Sequence, residues 1–220
     1  MLRLPLPGAK GEIQRVLVLG AHSDDIEIGC GATVLSLARA QPELEITWVV
    51  LGAEGEREQE ARASAKTFLA SAVRSEVAIY GFRNSYFPYV GEKVKDVFEE
   101  LKAQLDPDLI FTHTRHDLHQ DHRIVCELTW NTWRDHLILE YEVPKYDGDL
   151  GAPNVFVPVS EELAREKAEL ISSLFASQRD RHWFDEDVFL GLMRIRGMEA
   201  RAPSGFAEAF TCRKLTLSTG

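Results

Sequence analysis

Two short stretches of this chain concentrate residues that can bind a metal ion and move protons. The first, residues 21–27, reads Ala-His-Ser-Asp-Asp-Ile-Glu and places His22 beside three carboxylates. The second, residues 113–122, contains four of the seven histidines. Imidazole and carboxylate groups are ligands of catalytic zinc, which takes about three protein ligands and keeps one position open. We therefore interpret the two stretches as halves of one metal site.

Each stretch follows an apolar segment of the kind that forms a buried parallel strand. Residues 14–20 precede the first stretch, and residues 109–112 precede the second. Open α/β sheets keep their sites at the carboxyl ends of strands, so two such strands would deliver both stretches to one edge. Strand and helix patterns alternate over the first 135 residues. We predict a Rossmann-like α/β fold, with a mainly parallel sheet flanked by helices.

The other predicted elements continue this alternation without a repeat or a linker. Helices are expected at 29–40, 56–71, 92–105, 122–135, from 160 onward and at 185–199. Further strands are expected at 46–51, 77–80, 137–143, 155–157 and 210–217, and residues 1–12 are expected to be an irregular lead-in. A chain of 220 residues suits one α/β domain, 1–220.

Composition and charge narrow the classes of partner. The formal net charge is −10 and 45% of residues are hydrophobic. Nucleic acids and anionic membranes attract basic surfaces, so this balance favours a small-molecule substrate over either. No apolar run approaches the ~20 residues of a membrane span. The three widely spaced cysteines, Cys30, Cys126 and Cys212, indicate buried, reduced thiols and a cytoplasmic location.

The same residues allow other interpretations. The pair Asp24-Asp25 could cap a helix, although capping alone does not explain two carboxylates in tandem after a histidine. Gly29-X-Gly31 lacks the third glycine of a dinucleotide loop and follows carboxylates that would repel a pyrophosphate. A non-catalytic metal-binding module is disfavoured because structural zinc sites are usually rich in cysteine. A metallohydrolase of another amide or ester stays open.

The two stretches resemble the motifs of a known family. Residues 21–31 resemble the Ala-His-Pro-Asp-Asp-X-Glu motif of the PIG-L/LmbE family of zinc-dependent N-acetyl-sugar deacetylases. Residues 119–122, His-Gln-Asp-His, resemble its second motif, His-Pro-Asp-His, and residues 52–61 fit the pattern between them. Ser23 and Gln120 replace the two prolines, which are turn positions rather than ligands. The likeness covers roughly residues 14–135, and the two replacements indicate a distinct subgroup.

The resemblance implies a role for each matching residue. His22, Asp25 and His122 would hold zinc. Iron is a rival metal because the same ligand set serves non-haem Fe(II). Asp24 would be the general base that takes a proton from the attacking water. His119 would face the substrate carbonyl as an electrophile and general acid. A histidinium at this position could supply both functions.

The resemblance also implies an activity and partners. The protein would remove the acetyl group from an N-acetylglucosamine-type sugar or its conjugate, and it would form a homo-oligomer. Asp121 would orient one of the ligand histidines. Arg57, otherwise a solvated helix charge, is expected to contact a sugar hydroxyl or phosphate, and the aromatic residues 81–91 are expected to form a pocket wall. The group that carries the sugar, the segment after residue 140, and the roles of His113, His116 and Asp117 stay open.

Overall fold

A sheet of seven strands organises residues 13–216, which are the residues that the computed structural model describes. The strand order is β3-β2-β1-β4-β5-β7-β6. Strands β1 to β5 run parallel, and β7 is antiparallel to both of its neighbours. The predicted mainly parallel α/β fold is therefore confirmed. The strands are β1 (Arg15–His22), β2 (Glu45–Gly52), β3 (Arg74–Ile79), β4 (Leu109–His113), β5 (Leu137–Tyr141), β6 (Val155–Val159) and β7 (Phe206–Thr211).

Helices cover both faces of this sheet. Because side chains alternate along a strand, Val18 packs into the core on one face while Leu17 and Leu19 pack into the core on the other. The first face is covered by α1, α2, α5 and α6, and the second by α3 and α4. These helices are α1 (Asp25–Ala40), α2 (Glu56–Phe68), α3 (Gly91–Gln104), α4 (Gln120–Thr132), α5 (Glu161–Leu174) and α6 (Glu186–Ala200).

The predicted start of α1 is wrong by one helical turn. The helix begins at Asp25 rather than Gly29, because acidic residues in a first turn are stabilised by the positive end of the helix dipole. Gly29 and Gly31 do not open the helix but allow close packing inside it. A Cβ atom at Gly29 would lie 2.1 Å from the ring of Tyr141, and one at Gly31 would lie 2.7 Å from Phe68.

The remaining boundaries differ by a few residues. The last strand begins at Phe206 rather than residue 210 and ends at Thr211. The expected lead-in, 1–12, and residue 217 lie outside the described residues. Cys30 and Cys126 are buried as expected, whereas Cys212 is only half-buried, and all three are free thiols. Within residues 13–216 no helix has both the length and the apolar character needed to cross a membrane.

Candidate metal centre

The carboxyl edge of the sheet brings the two histidine-containing stretches together. β1 and β4 are parallel neighbours, and both end in a histidine, His22 and His113. α1 begins directly after β1 with Asp25, and the first turn of α4 carries Asp121 and His122. Residues about 100 positions apart in the chain therefore share one buried cluster.

The three predicted metal ligands lie at nearly equal distances from one another. His22 Nδ1 is 3.2 Å from His122 Nε2. Asp25 Oδ2 is 3.3 Å from His22 Nδ1 and 3.4 Å from His122 Nε2. Ligand atoms bonded at 2.0–2.1 Å to a tetrahedral zinc lie ~3.3–3.4 Å apart. The cluster therefore has the donor types and the spacing that a zinc ion requires.

A carboxylate supports each of the two candidate histidine ligands. Asp121 Oδ2 is 3.1 Å from His22 Nε2, and Asp117 Oδ2 is 2.9 Å from His122 Nδ1. Carboxylates in this position fix the tautomer and orientation of a ligating imidazole. Lys145 Nζ lies 2.9 Å from the same oxygen of Asp117. Burial raises the pKa of Asp117, but the hydrogen bond to His122 and the charges of His122, His113 and Lys145 together lower it.

A tight loop after β3 holds Asp121 in place. The backbone N–H groups of Ser85 and Phe87 donate to its two oxygens, at 2.6 and 3.1 Å. Ser85 has φ 66°, in the left-handed region that non-glycine residues rarely adopt. Gln120, which the sequence suggested was only a turn position, donates its side-chain amide to the Ser85 carbonyl. The loop is thus tied to the first turn of α4.

One carboxylate oxygen of Asp24 accepts a hydrogen bond and the other does not. Arg57 Nη2 donates to Asp24 Oδ1 at 2.7 Å, while Asp24 Oδ2 is buried and has no hydrogen-bond partner among the described residues. Burial raises the pKa of Asp24, and the charge of Arg57 opposes this effect. Arg57 lies in the first turn of α2, which follows Gly55 with φ 61°. The ion pair argues against a purely solvated Arg57.

His119 is a neutral imidazole in this environment. Burial and the charges of His122 and His22 lower its pKa to about 4. Its Nδ1 accepts a hydrogen bond from the Asp121 backbone N–H at 3.2 Å, which assigns the ring hydrogen to Nε2. The histidinium expected from the sequence is therefore replaced by a neutral ring that can donate from Nε2.

His113 is a further imidazole beside the cluster. Its Nε2 is 3.3 Å from Asp25 Oδ2 and accepts from the Ala21 N–H at 3.0 Å. Burial and the charge of His122 lower its pKa to about 4. Burial also lowers the pKa of His22, but the carboxylates of Asp25 and Asp121 raise it to about 9. The sequence indicates His113 because, like His22, it stands at the end of a predicted central strand.

A cavity of about 410 Å³ opens onto the cluster. The predicted pocket wall contributes its first residues, 82–84, whereas Tyr86 and Tyr89 are exposed and do not line the cavity. Two segments that the sequence left unassigned complete the walls, residues 143–147 and residues 178–183. Arg57 and His119 also line the cavity, while His116 is exposed elsewhere.

The fold and the cluster define an α/β protein with a buried, metal-competent site. The sequence profile of the PIG-L family, described as GlcNAc-PI de-N-acetylase, matches residues 17–133. The chain is 30% identical over 159 residues to the uncharacterized deacetylase YaiS of Escherichia coli K12, across 67% of this chain and 83% of that protein. The chain therefore belongs to the PIG-L family of deacetylases.

Solved structures share the fold at lower identity. The N,N'-diacetylchitobiose deacetylase of Pyrococcus horikoshii is 18% identical with a TM-score of 0.68, over 91% of this chain and 84% of that one. GalB, the 4-carboxy-2-hydroxymuconate hydratase of Pseudomonas putida KT2440, is 13% identical with a TM-score of 0.68, over 94% and 99%. Because one fold accommodates a deacetylase and a hydratase, the reaction must be argued from the site.

Proposed function

We propose that this protein is a zinc-dependent N-deacetylase acting on an N-acetylglucosamine-type sugar or its conjugate. Water adds across the amide, and the products are acetate and the free amino sugar. The observation that supports this most strongly is the spacing of His22 Nδ1, Asp25 Oδ2 and His122 Nε2, at 3.2–3.4 Å from one another. A bound zinc ion polarises a carbonyl oxygen and makes water a nucleophile near neutral pH.

The residues around the three ligands would carry the proton transfers. Asp24 Oδ2 is available to take a proton from the attacking water, because Arg57 occupies only Oδ1. The raised pKa of Asp24 suits a carboxylate that accepts a proton and then gives it to the leaving amine. His119 would donate from Nε2 to the oxygen on which negative charge develops. Asp121 would keep His22 oriented throughout.

Arg57 is proposed to serve both the base and the substrate. One guanidinium nitrogen holds Asp24, and the side chain also lines the cavity. An arginine has five N–H donors, so the remaining donors can contact a sugar hydroxyl or phosphate. We therefore expect Arg57→Ala to lower kcat as well as raise KM, whereas an arginine that only bound substrate would change mainly KM.

Acetate release from a panel of N-acetyl compounds tests the proposal. The panel contains free N-acetylglucosamine, a nucleotide sugar, a glycolipid headgroup and a thiol conjugate, each assayed after chelation and after reloading with zinc or iron. We expect release that chelator abolishes and zinc restores. His22→Ala should lose metal and activity, and His116→Ala, at an exposed histidine outside the cavity, should retain both. Release that survives full metal removal, or no release from any compound with either metal, would reject the proposal.

The expected cytoplasmic location and the expected homo-oligomer stay predictions. Light scattering from the purified protein would give the number of chains in the assembly. Localisation of the tagged protein in its native cell would test the compartment.

A further inference from the structure

A carboxylate on α2 ties a segment of the carboxyl-terminal half to the candidate site. Glu60 is 8% exposed. Its Oε1 accepts from the Ser177 backbone N–H at 2.8 Å, and its Oε2 accepts from Ser177 Oγ at 2.6 Å. Residues three apart share one face of a helix, so Glu60 lies on the same side of α2 as Arg57. One helix face thus carries both the partner of Asp24 and this attachment point.

The attached segment, residues 175–184, forms one wall of the cavity. Phe175 and Phe184 are 0% and 7% exposed, so the core fixes both ends. Between them, Gln178, Arg181 and Trp183 line the cavity. The attachment to Glu60 therefore fixes the middle of the segment, where the lining begins.

The contacts continue from Glu60 into the cavity through adjacent residues. Gln178 Nε2 donates to Ser177 Oγ at 3.0 Å, so the hydroxyl held by Glu60 also positions the first lining side chain. Arg181 lines the cavity and makes no ion pair within residues 13–216, so its guanidinium is free for oxygen atoms of a ligand. An amide, a guanidinium and an indole together suit the hydroxyl groups and the apolar face of a sugar ring or its substituent.

We propose that Glu60 is a positioning residue that sets substrate selectivity. By holding Ser177, it keeps segment 175–184 where its side chains contact the group attached to the amino sugar. The acetyl group must reach the metal ligands, so this wall would meet the substrate on the side remote from the reacting carbon. The inference rests on the proposed function, because it assigns the part of that substrate which the wall recognises.

Four variants separate this role from simple destabilisation. Ser177→Ala removes the hydroxyl bond and keeps the backbone bond, while Glu60→Ala removes both. Glu60→Gln is the conservative variant, since its amide can accept from the Ser177 N–H and donate to Ser177 Oγ. Glu58→Ala is the matched control, because Glu58 lies on the same helix, its side chain is 41% exposed, and it pairs with Arg62 rather than with segment 175–184.

Kinetics of the zinc-loaded enzyme on two probes give the main test. The probes are the p-nitrophenyl glycoside of N-acetylglucosamine and free N-acetylglucosamine. Ser177→Ala should raise KM for the glycoside about tenfold, the worth of one positioning hydrogen bond, with kcat unchanged. Glu60→Ala should raise this KM further, and Glu60→Gln should bring it most of the way back to the wild-type value. The free sugar and the Glu58→Ala variant should show the wild-type values.

Two outcomes would overturn the inference. One is an unchanged KM for the glycoside in both Ser177→Ala and Glu60→Ala. The other is an equal rise in KM for the two probes, which would mean that the wall does not recognise the attached group.

A binding measurement keeps the inference separate from the proposed function. The proposed function fails only if no compound of the panel releases acetate with either metal. If the wild type releases acetate from neither probe, binding of the deacetylated p-nitrophenyl glucosaminide is followed by tryptophan fluorescence instead. Weaker binding by Ser177→Ala than by Glu58→Ala would support the role of Glu60 independently of catalysis. Equal binding by the two variants, or no binding by the wild type, would overturn it.

Discussion

The buried ion pair between Lys167 and Glu208 connects α5 and β7 to the helix that begins at the metal cluster. Both side chains are 2% exposed, and Lys167 Nζ is 2.6 Å from Glu208 Oε1. Lys167 Nζ also donates to the Ile28 carbonyl at 2.7 Å. Glu208 accepts from the backbone N–H groups of Ala32 and Thr33, at 2.9 and 2.7 Å. Removing either charged residue should therefore loosen α1.

The hydrogen bonds that remain in each variant determine which variant loses more free energy of unfolding. Breaking a buried pair leaves an uncompensated charge and costs about 3–5 kcal/mol. Lys167→Met leaves Glu208 with its donors from α1, so we expect the lower end of this range. Glu208→Ala leaves Lys167 with one carbonyl and also removes the acceptor of two backbone N–H groups, so we expect the upper end.

An exposed pair on the same helix provides the control. Arg165 and Glu161 are 56% and 52% exposed, and such pairs contribute about 0–1 kcal/mol, so Arg165→Ala should change stability little. In a chain of this size each kcal/mol shifts Tm by roughly 2–4 °C. The buried variants should therefore lower Tm by about 6–20 °C.

Urea unfolding of metal-free protein, followed by circular dichroism at neutral pH, measures these free energies. The metal is omitted because a ligand that binds only the folded state would add to the apparent stability. The reasoning would be refuted if Glu208→Ala destabilised the fold no more than Arg165→Ala. It would also be refuted if Lys167→Met were more harmful than Glu208→Ala, because the count of remaining hydrogen bonds would then not govern the loss.

The metal cluster and the thiols give three further expectations. Asp24→Asn should retain full metal content by elemental analysis while kcat falls about 10²–10⁴-fold, and Asp25→Asn should lose metal; the reverse pattern would exchange their roles. Asp117→Asn should weaken metal affinity about 10–100-fold against a competing chelator, whereas Asp135→Asn, at a side chain that is 92% exposed, should not; equal affinities would reject the support by Asp117. Burial raises the pKa of the Cys126 thiol well above its usual range, so iodoacetamide should modify it only after unfolding, and rapid alkylation of the native protein would contradict this.

The sequence predicted which residues lie together where their positions depend on local spacing. His22 and Asp25 are three residues apart at the end of an apolar run, and the parallel-sheet rule places the end of β4 beside them. That reasoning anticipated the cluster at the carboxyl edge. It could not assign Asp117, whose contact with His122 depends on how the chain turns between β4 and α4. The partner of Arg57 was likewise missed because it depends on how α2 packs beside α1.

The start of α1 shows how a local signal can mislead. A Gly-X-Gly that follows a strand can open a helix, so Gly29 and Gly31 suggested that the helix began there. Their actual role is set by Tyr141 and Phe68, which approach α1 from β5 and α2. Neither contact can be inferred from the glycines alone, because it depends on the tertiary packing of distant elements.

The two halves of the chain contribute differently to the candidate site. The predicted metal ligands and Asp24 lie between residues 22 and 122, within the stretch that matches the family profile. Two walls of the cavity come from residues 143–147 and 178–183, beyond that match. Sequence changes in these walls can therefore alter the fit of a substrate without moving a metal ligand. Glu60 links the family match to the second of these walls, since it lies within the match and holds Ser177 outside it. The selectivity of the second half thus depends on a residue of the first.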